Sequence, residues 1–276
     1  MCEDARMGNG PAHFTAESDG TFRPTQWAQS RWGEDMLNGP AVVALAAWNL
    51  EQHYGLPEFL PGRLTVDLFK AARKKPTYVH NRLVRDGHRI RNSECDIVQD
   101  DVVVARATLV QYRTSAPPPG DEWFGDPTFS PPEHTHENAY LIGSEDAGWD
   151  TRGGVHQNTS RKRFYHKPID AVAGERISPF VRAVIVSEAT SLVCNLGTKG
   201  IGYINGDLTV ALTRLPNSEY LGLQAESHWA ADGVSVGTAT LFDDAGPFGT
   251  GMVTAIANPA AQLDFGGFNA VPTLQV

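Results

Sequence analysis

The sequence predicts an α+β fold in which an antiparallel sheet curls around a helix, and it predicts this twice. Three observations carry the reading. A mostly apolar helical pattern followed by strand patterns occurs once in each half of the chain. LTVDL at 64–68 and LTVAL at 208–212 each form the first strand after their helix. Asp86-Gly87 and Asp232-Gly233 are hairpin signals between neighbouring strand runs. A sheet that must bury one face is served by one largely apolar helix, and two such units can pair their sheets and hide their edges.

Composition sets the bounds. The chain has 276 residues, is 41% hydrophobic and has a mean hydropathy of -0.29. That length allows one large domain or two smaller ones. A formal net charge of -9 argues against non-specific binding to nucleic acid or anionic membranes. Cys2, Cys95 and Cys194 are odd in number and scattered, with no CxxC, which suits reduced thiols in a cytoplasmic protein. The start, MCEDARMGNGPAHF, lacks an apolar signal core, and no run approaches the roughly 18 apolar residues of a membrane span.

Taken in order, residues 1–20 are small and polar and read as a flexible arm. FRPTQWAQSR, at 22–31, reads as a short edge strand weakened by Pro24. NGPAVVALAAWNLEQHYG, from Asn38, reads as a helix with Pro40 near its start and Gly55 and Pro57 stopping it. Strands follow at 63–69, 77–85 and 88–98, and Asp100-Asp101 turns the chain into another at 102–112. This completes a unit at 21–115. Residues 116–155 are rich in Pro, Gly and acidic side chains and read as a linker. His134 and His136 lie there, and a lone HxH in such a loop is ordinarily solvated, so no metal is expected.

The second unit spans 156–276. RKRFYHK (161–167) is a strand, and Ser178 with Pro179 opens a helix at 179–195. Strands at 204–214, 219–229, 234–242 and 248–258 follow. VVVARATL (102–109) resembles VSVGTATL (234–241), but out of register with the other repeat, so it is read as coincidence.

Candidate chemistry centres on the second helix. Val181, Val184, Ile185, Leu192 and Asn195 recur at helical spacing, and Glu188 falls in their stripe. A buried carboxylate needs a partner, a shifted pKa or a chemical task. The plain alternative pairs it with Arg182 or Lys199, or turns it to the interface between units. Asn205 and Asp207 alternate onto one side of the next strand and are expected to face the helix; otherwise Asn205-Gly206 is a turn and Asp207 is solvated. Phosphate-bearing ligands would need a basic cluster, and two are available: Arg161 and Arg163 on one strand face, and AARKK at 71–75. His156 and Gln157 precede the first cluster, or simply cap a loop. There is no GxSxG, Walker A or GxGxxG on the required elements, and Cys194 reads as a buried structural thiol.

Over about 22–115 and 156–260 the chain resembles the double hotdog, type II acyl-CoA thioesterase family, most closely its actinobacterial branch. The resemblance rests on FRPTQWAQSRWGEDMLNGPAVVALAA and VRDGHRIRNSECDIVQDDVVVARATLVQYR, then on FVRAVIVSEATSL, YINGDLTVALTRLP and LFDDAGPFGTGMV. It implies a cytoplasmic hydrolase of fatty acid metabolism, without cofactor, acting on medium- or long-chain acyl-CoA; a homo-oligomer is expected because paired units can associate further through helices or sheet edges. A helix carboxylate, a strand hydroxyl and a glutamine on the last strand would hold the attacking water. Glu188 matches the carboxylate, usually aspartate, Asn205 the hydroxyl and Asp207 an acidic position. The glutamine position falls on Val253, which can do neither job; Thr254 and Gln157 are the polar residues that would have to compensate. Asn49 takes Glu188's place in the first helix, marking a degenerate site or a polar residue at the stripe's rim. Substrate contacts are expected from Arg161, Arg163, His156, Gln157, Asn38 and Gly39, with oxyanion donors at a helix start or in the 200–206 turn. The alternative implied by Val253 is a non-hydrolytic acyl-CoA or acyl-chain binding protein.

Overall fold

A computed structural model describes residues 10–135 and 140–266. Its frame is a 12-stranded antiparallel sheet. In the first half Phe59–Leu68 lies innermost, followed outward by Val102–Arg113, Ile90–Gln99 and Tyr78–Asp86. In the second half Asp207–Leu212 lies innermost, followed by Gly246–Ala257, Val234–Asp243 and Leu221–Ala231. The innermost strands pair with each other, so LTVDL and LTVAL meet head to tail. Thr65 stands opposite Thr209 on this ladder, their hydroxyls 3.0 Å apart, while Leu64, Val66, Leu208 and Val210 are buried on the other face. This is an approximate two-fold axis between the repeats. Under it Val102–Arg113 corresponds to Gly246–Ala257, so the likeness of VVVARATL to VSVGTATL is indeed fortuitous.

The first helix, α1, spans Gly39–Tyr54. Asn38 caps it by accepting from Ala41 N at 2.8 Å, and Gly55 ends it. Residues 41–47 are all buried, because the sheet covers one side while the second helix and the strands Ala12–Ala16 and Asp170–Val172 cover others. A helix enclosed on all sides needs no polar stripe, which explains the unbroken run AVVALAA. Hairpin turns fall where φ is positive, at Asp100 and Asp101 (49° and 60°) and at Asp232 and Gly233 (50° and 78°).

Four sequence expectations need amending. The stretch read as a flexible arm carries the strand Ala12–Ala16, which pairs with Asp170–Val172 and with Phe22–Pro24 and buries Ala12 and Phe14. The stretch read as a linker adds Leu141–Ser144 and Gly148–Asp150 to the far edge of the sheet, beyond Lys162–His166. It is also pinned by Phe129, which stacks on Phe242 at 5.0 Å and sits where Gly222 has no side chain. The helix at 179–195 is two helices, α2 (Pro179–Glu188) and α3 (Thr190–Asn195), with the break at Ala189. The strand at 204–214 is likewise split, into Tyr203–Asn205 and Asp207–Leu212, around Gly206. Cys95 and Cys194 are free thiols, while Cys2 and His136 lie outside the described residues.

Candidate active site

The breaks at Ala189 and Gly206 fall beside the residues of interest. Ser178 caps α2 by accepting from Val181 N at 3.1 Å, and α2 then runs apolar through Val186. It ends on Glu188, where the Ala189 N–H turns back to Val186 O at 3.1 Å. Helices α1 and α2 pack together, and the carboxyl of Glu188 lies against the first turn of α1. A Cβ at Gly39 would fall on Glu188 Oε1, so the approach requires glycine there. Ala41 N is taken by the Asn38 side chain and Pro40 has no N–H, whereas the Gly39 N–H has no acceptor among the described residues.

Asn205 completes the group. Its Nδ2 donates to Glu188 Oε1 at 3.4 Å, a long contact, while its Oδ1 accepts from Ser191 Oγ at 2.6 Å. The serine hydroxyl thus sets the amide with its N–H groups toward the carboxylate. Desolvation pushes the Glu188 carboxyl up to about 8. No ion pair of the described residues involves it, and Arg182 donates instead to Ser218 O at 2.9 Å. The positive end of the α1 dipole opposes this upward shift. As a whole residue Glu188 is half-buried, while its carboxyl is desolvated in the packing between the helices.

The other expected residues divide plainly. Asp207 does not join the group. Beyond Gly206 its carboxylate accepts from Thr254 N at 3.2 Å and from Thr254 Oγ1, and it stands opposite Asp67 on the ladder. Val253 is fully buried in the core. Thr254 is spent on Asp207, and Gln157 Oε1 accepts from Phe265 N at 2.6 Å, so neither supplies the missing glutamine. His156 is fully buried, with Nδ1 3.0 Å from Ser144 Oγ, and its burial lowers its pKa; it is a packing residue and not a substrate contact.

The Arg161 cluster is also committed elsewhere. Arg161 pairs with Glu226 at 2.8 Å, Arg163 lies 4.6 Å over the Trp149 ring, and buried Lys162 donates to Asn158 O at 3.0 Å. Its strand is four ladder steps from Asn205, roughly 19 Å along the sheet at about 4.8 Å per step. Asn38 is at the site but structural, since besides capping α1 its Nδ2 holds Trp27 O at 2.9 Å and Gln29 O at 3.2 Å. Burial pushes Cys194 up to about 12, with its Sγ 3.5 Å from Ser227 O and Thr238 O, so it is an inert thiol. Two surface depressions of about 410 and 360 Å³ lie beside residues 70–75 and 197–203. Sequence reasoning passed over Ser191, although its place three residues after Glu188, one turn on, was a usable signal.

The acyl-CoA thioesterase N-terminal domain family matches residues 28–112, and its C-terminal domain family matches residues 111–257. The fold is similar to the tesB protein of Mycobacterium avium subs paratuberculosis, at 14% identity and TM-score 0.62, covering 89% of this chain and 96% of that one. It is also similar to acyl-CoA thioesterase II TesB2 of Mycobacterium marinum, at 13% identity and TM-score 0.63, covering 91% and 96%. A conserved protein of unknown function with hot dog fold from Alicyclobacillus acidocaldarius matches at 16% identity and TM-score 0.62, covering 89% and 96%. No curated protein matches by sequence.

Proposed function

Because the chain belongs to the acyl-CoA thioesterase family, in its type II double hotdog form, we propose that it hydrolyses acyl-CoA thioesters with Glu188 as the base. The observation that carries this reading is the junction of the Glu188 carboxyl, the Gly39 N–H, which has no acceptor among the described residues, and the Asn205 amide, supplied by both halves of the chain. A thioester carbonyl seated on the Gly39 N–H would receive its developing negative charge at a helix N-terminus, where backbone dipoles favour an anion. Glu188 takes a proton from the water as the water oxygen bonds to the carbonyl carbon. The tetrahedral intermediate then collapses, breaking the C–S bond, and Glu188 returns the proton to the departing sulfur. A carboxyl near 8 suits both transfers, because an alkyl thiol titrates at about 8.5. Asn205, oriented by Ser191, positions the water.

Val253 favours a second reading, an acyl-CoA or acyl-chain binding protein, since the last strand offers the water no amide. Thiol release from acyl-CoAs of increasing chain length separates the two. Hydrolysis predicts turnover that falls about 10²- to 10⁴-fold in Glu188→Gln. Binding by calorimetry without turnover, across the whole panel, would establish the second reading instead.

A further inference from the structure

We propose that residues 69–75, FKAARKK, hold the nucleotide phosphates of coenzyme A, so that the chain selects nucleotide-bearing thioesters over those on a protein-bound pantetheine arm. The inference rests on the proposed function and deepens it. This segment is stitched to both flanks of the Glu188 site. On one side Leu68 N donates to Gly206 O at 2.8 Å, next to Asn205. On the other Leu37 N donates to Ala72 O at 2.8 Å, next to Asn38 and Gly39. Gln99 fixes the loop by accepting from Arg73 N and donating to Arg73 O, each at 2.8 Å, so its shape is set before any ligand arrives.

The chemistry matches a nucleotide. Lys70, Arg73, Lys74 and Lys75 are all exposed, in a chain whose net charge is -9. Lys75 is paired with Asp100 at 2.5 Å and Arg73 loosely with Asp35 at 3.9 Å. Lys70 makes no ion pair among the described residues, and Lys74 reaches only the neutral Gln29 Oε1 at 3.1 Å. Lys70 is therefore uncommitted, and Arg73 only loosely committed, at the 410 Å³ depression, which Lys75, Asp100, Val102 and Val104 also line. An apolar floor suits a flat base, and ammonium groups at its edge suit a pyrophosphate and a 3′-phosphate. A protein-bound pantetheine arm brings one phosphodiester and no base.

The test uses the full chain with Lys70→Ala/Arg73→Ala and one acyl group carried either on CoA or on pantetheine, which lacks the nucleotide. The expected result is a KM for acyl-CoA raised about five- to tenfold at constant kcat, with the pantetheine ester unaffected. Added salt should shrink the wild-type preference for the CoA ester. Equal rises for both esters, or no rise for either, would overturn the assignment. If the wild-type chain turns over neither ester, the hydrolysis reading fails by itself, and titration with CoA decides this one. A Kd for CoA weakened five- to tenfold in the double variant supports the site; an unchanged Kd, or no CoA binding at all, overturns it.

Discussion

The two ends of the α1–α2 pair are related by the same approximate two-fold axis, yet they are built differently. At one end α1 begins with Gly39, whose N–H has no acceptor among the described residues, and the carboxyl of Glu188 lies against it. At the other α2 begins with Pro179, which has no N–H to offer. Asn49, at the position expected to answer Glu188, is 2% exposed and turns its amide back to Leu45 O at 3.0 Å. The carboxylate found there is Glu51, bonded to the Ser178 hydroxyl and raised by desolvation. The two repeats share a scaffold, and two residue differences, Pro179 for Gly39 and Asn49 for Glu188, leave one end without the backbone donor and the helix carboxylate of the other. The enclosed helix that holds each unit together thus leaves the residues at its ends free to differ.

The largest effects should come from giving each end the other's character. Glu188→Gln removes the base, and beyond its 10²- to 10⁴-fold loss of rate it should stabilise the chain at high pH. Native Glu188 keeps its proton to about pH 8, whereas the unfolded chain releases it near 4.5. The native state therefore holds more protons between those values, and its stability falls as pH rises through them. Thermal melts should show the variant equal to wild type near pH 5 and roughly 3–6 °C more stable at pH 9, which corresponds to about 1–2 kcal/mol. A constant difference across pH would place the titrating group elsewhere. Conversely, Asn49→Asp puts a carboxylate where no donor waits, and denaturant unfolding should show a loss of about 2–4 kcal/mol at pH 8 that shrinks toward pH 4.

A smaller effect sharpens the description of the Glu188 end. Ser191→Ala leaves Glu188 and Gly39 in place but frees the Asn205 amide to rotate. The expected outcome is a kcat about tenfold lower with KM little changed, since the loss falls on water alignment and not on substrate binding. Ser191→Thr keeps the hydroxyl and should restore most of the rate. If Thr fails to rescue, the hydrogen bond at 2.6 Å is a packing feature only.

The repeat, the helices and the innermost strands were legible because each has a local cause: a cap, a period or a turn residue. Glu188 was legible for the same reason, as a carboxylate in an apolar stripe. What escaped was set by breaks in regular elements. Ala189 interrupts the helix with no proline or glycine to announce it, and Gly206 splits a strand so that its neighbours diverge. Alternation predicted one face for Asn205 and Asp207, and it holds only in an unbroken strand. The basic cluster at 161–163 and the one at 71–75 look alike in sequence. Their difference lies in partners brought from far along the chain: Glu226 and Trp149 hold the first, whereas in the second Lys75 is paired with Asp100 and Arg73 and Lys74 make only looser contacts with Asp35 and Gln29.

The smallest expected effect is the most direct test of that divergence. Asp207 was expected beside Glu188, and in the structure its carboxylate is occupied by Thr254 on the strand Gly246–Ala257. An amide in place of this carboxylate retains one oxygen able to accept from Thr254 N, so Asp207→Asn should cost about 1 kcal/mol or less of stability. Because the group touches neither Asn205 nor the Gly39 amide, kcat and KM for acyl-CoA should each stay within about threefold of wild type. A loss approaching that of Glu188→Gln would mean that Gly206 does not separate the two side chains during turnover. The site would then extend across both faces of the strand, and the contrast between the two ends of the helix pair would include Asp207.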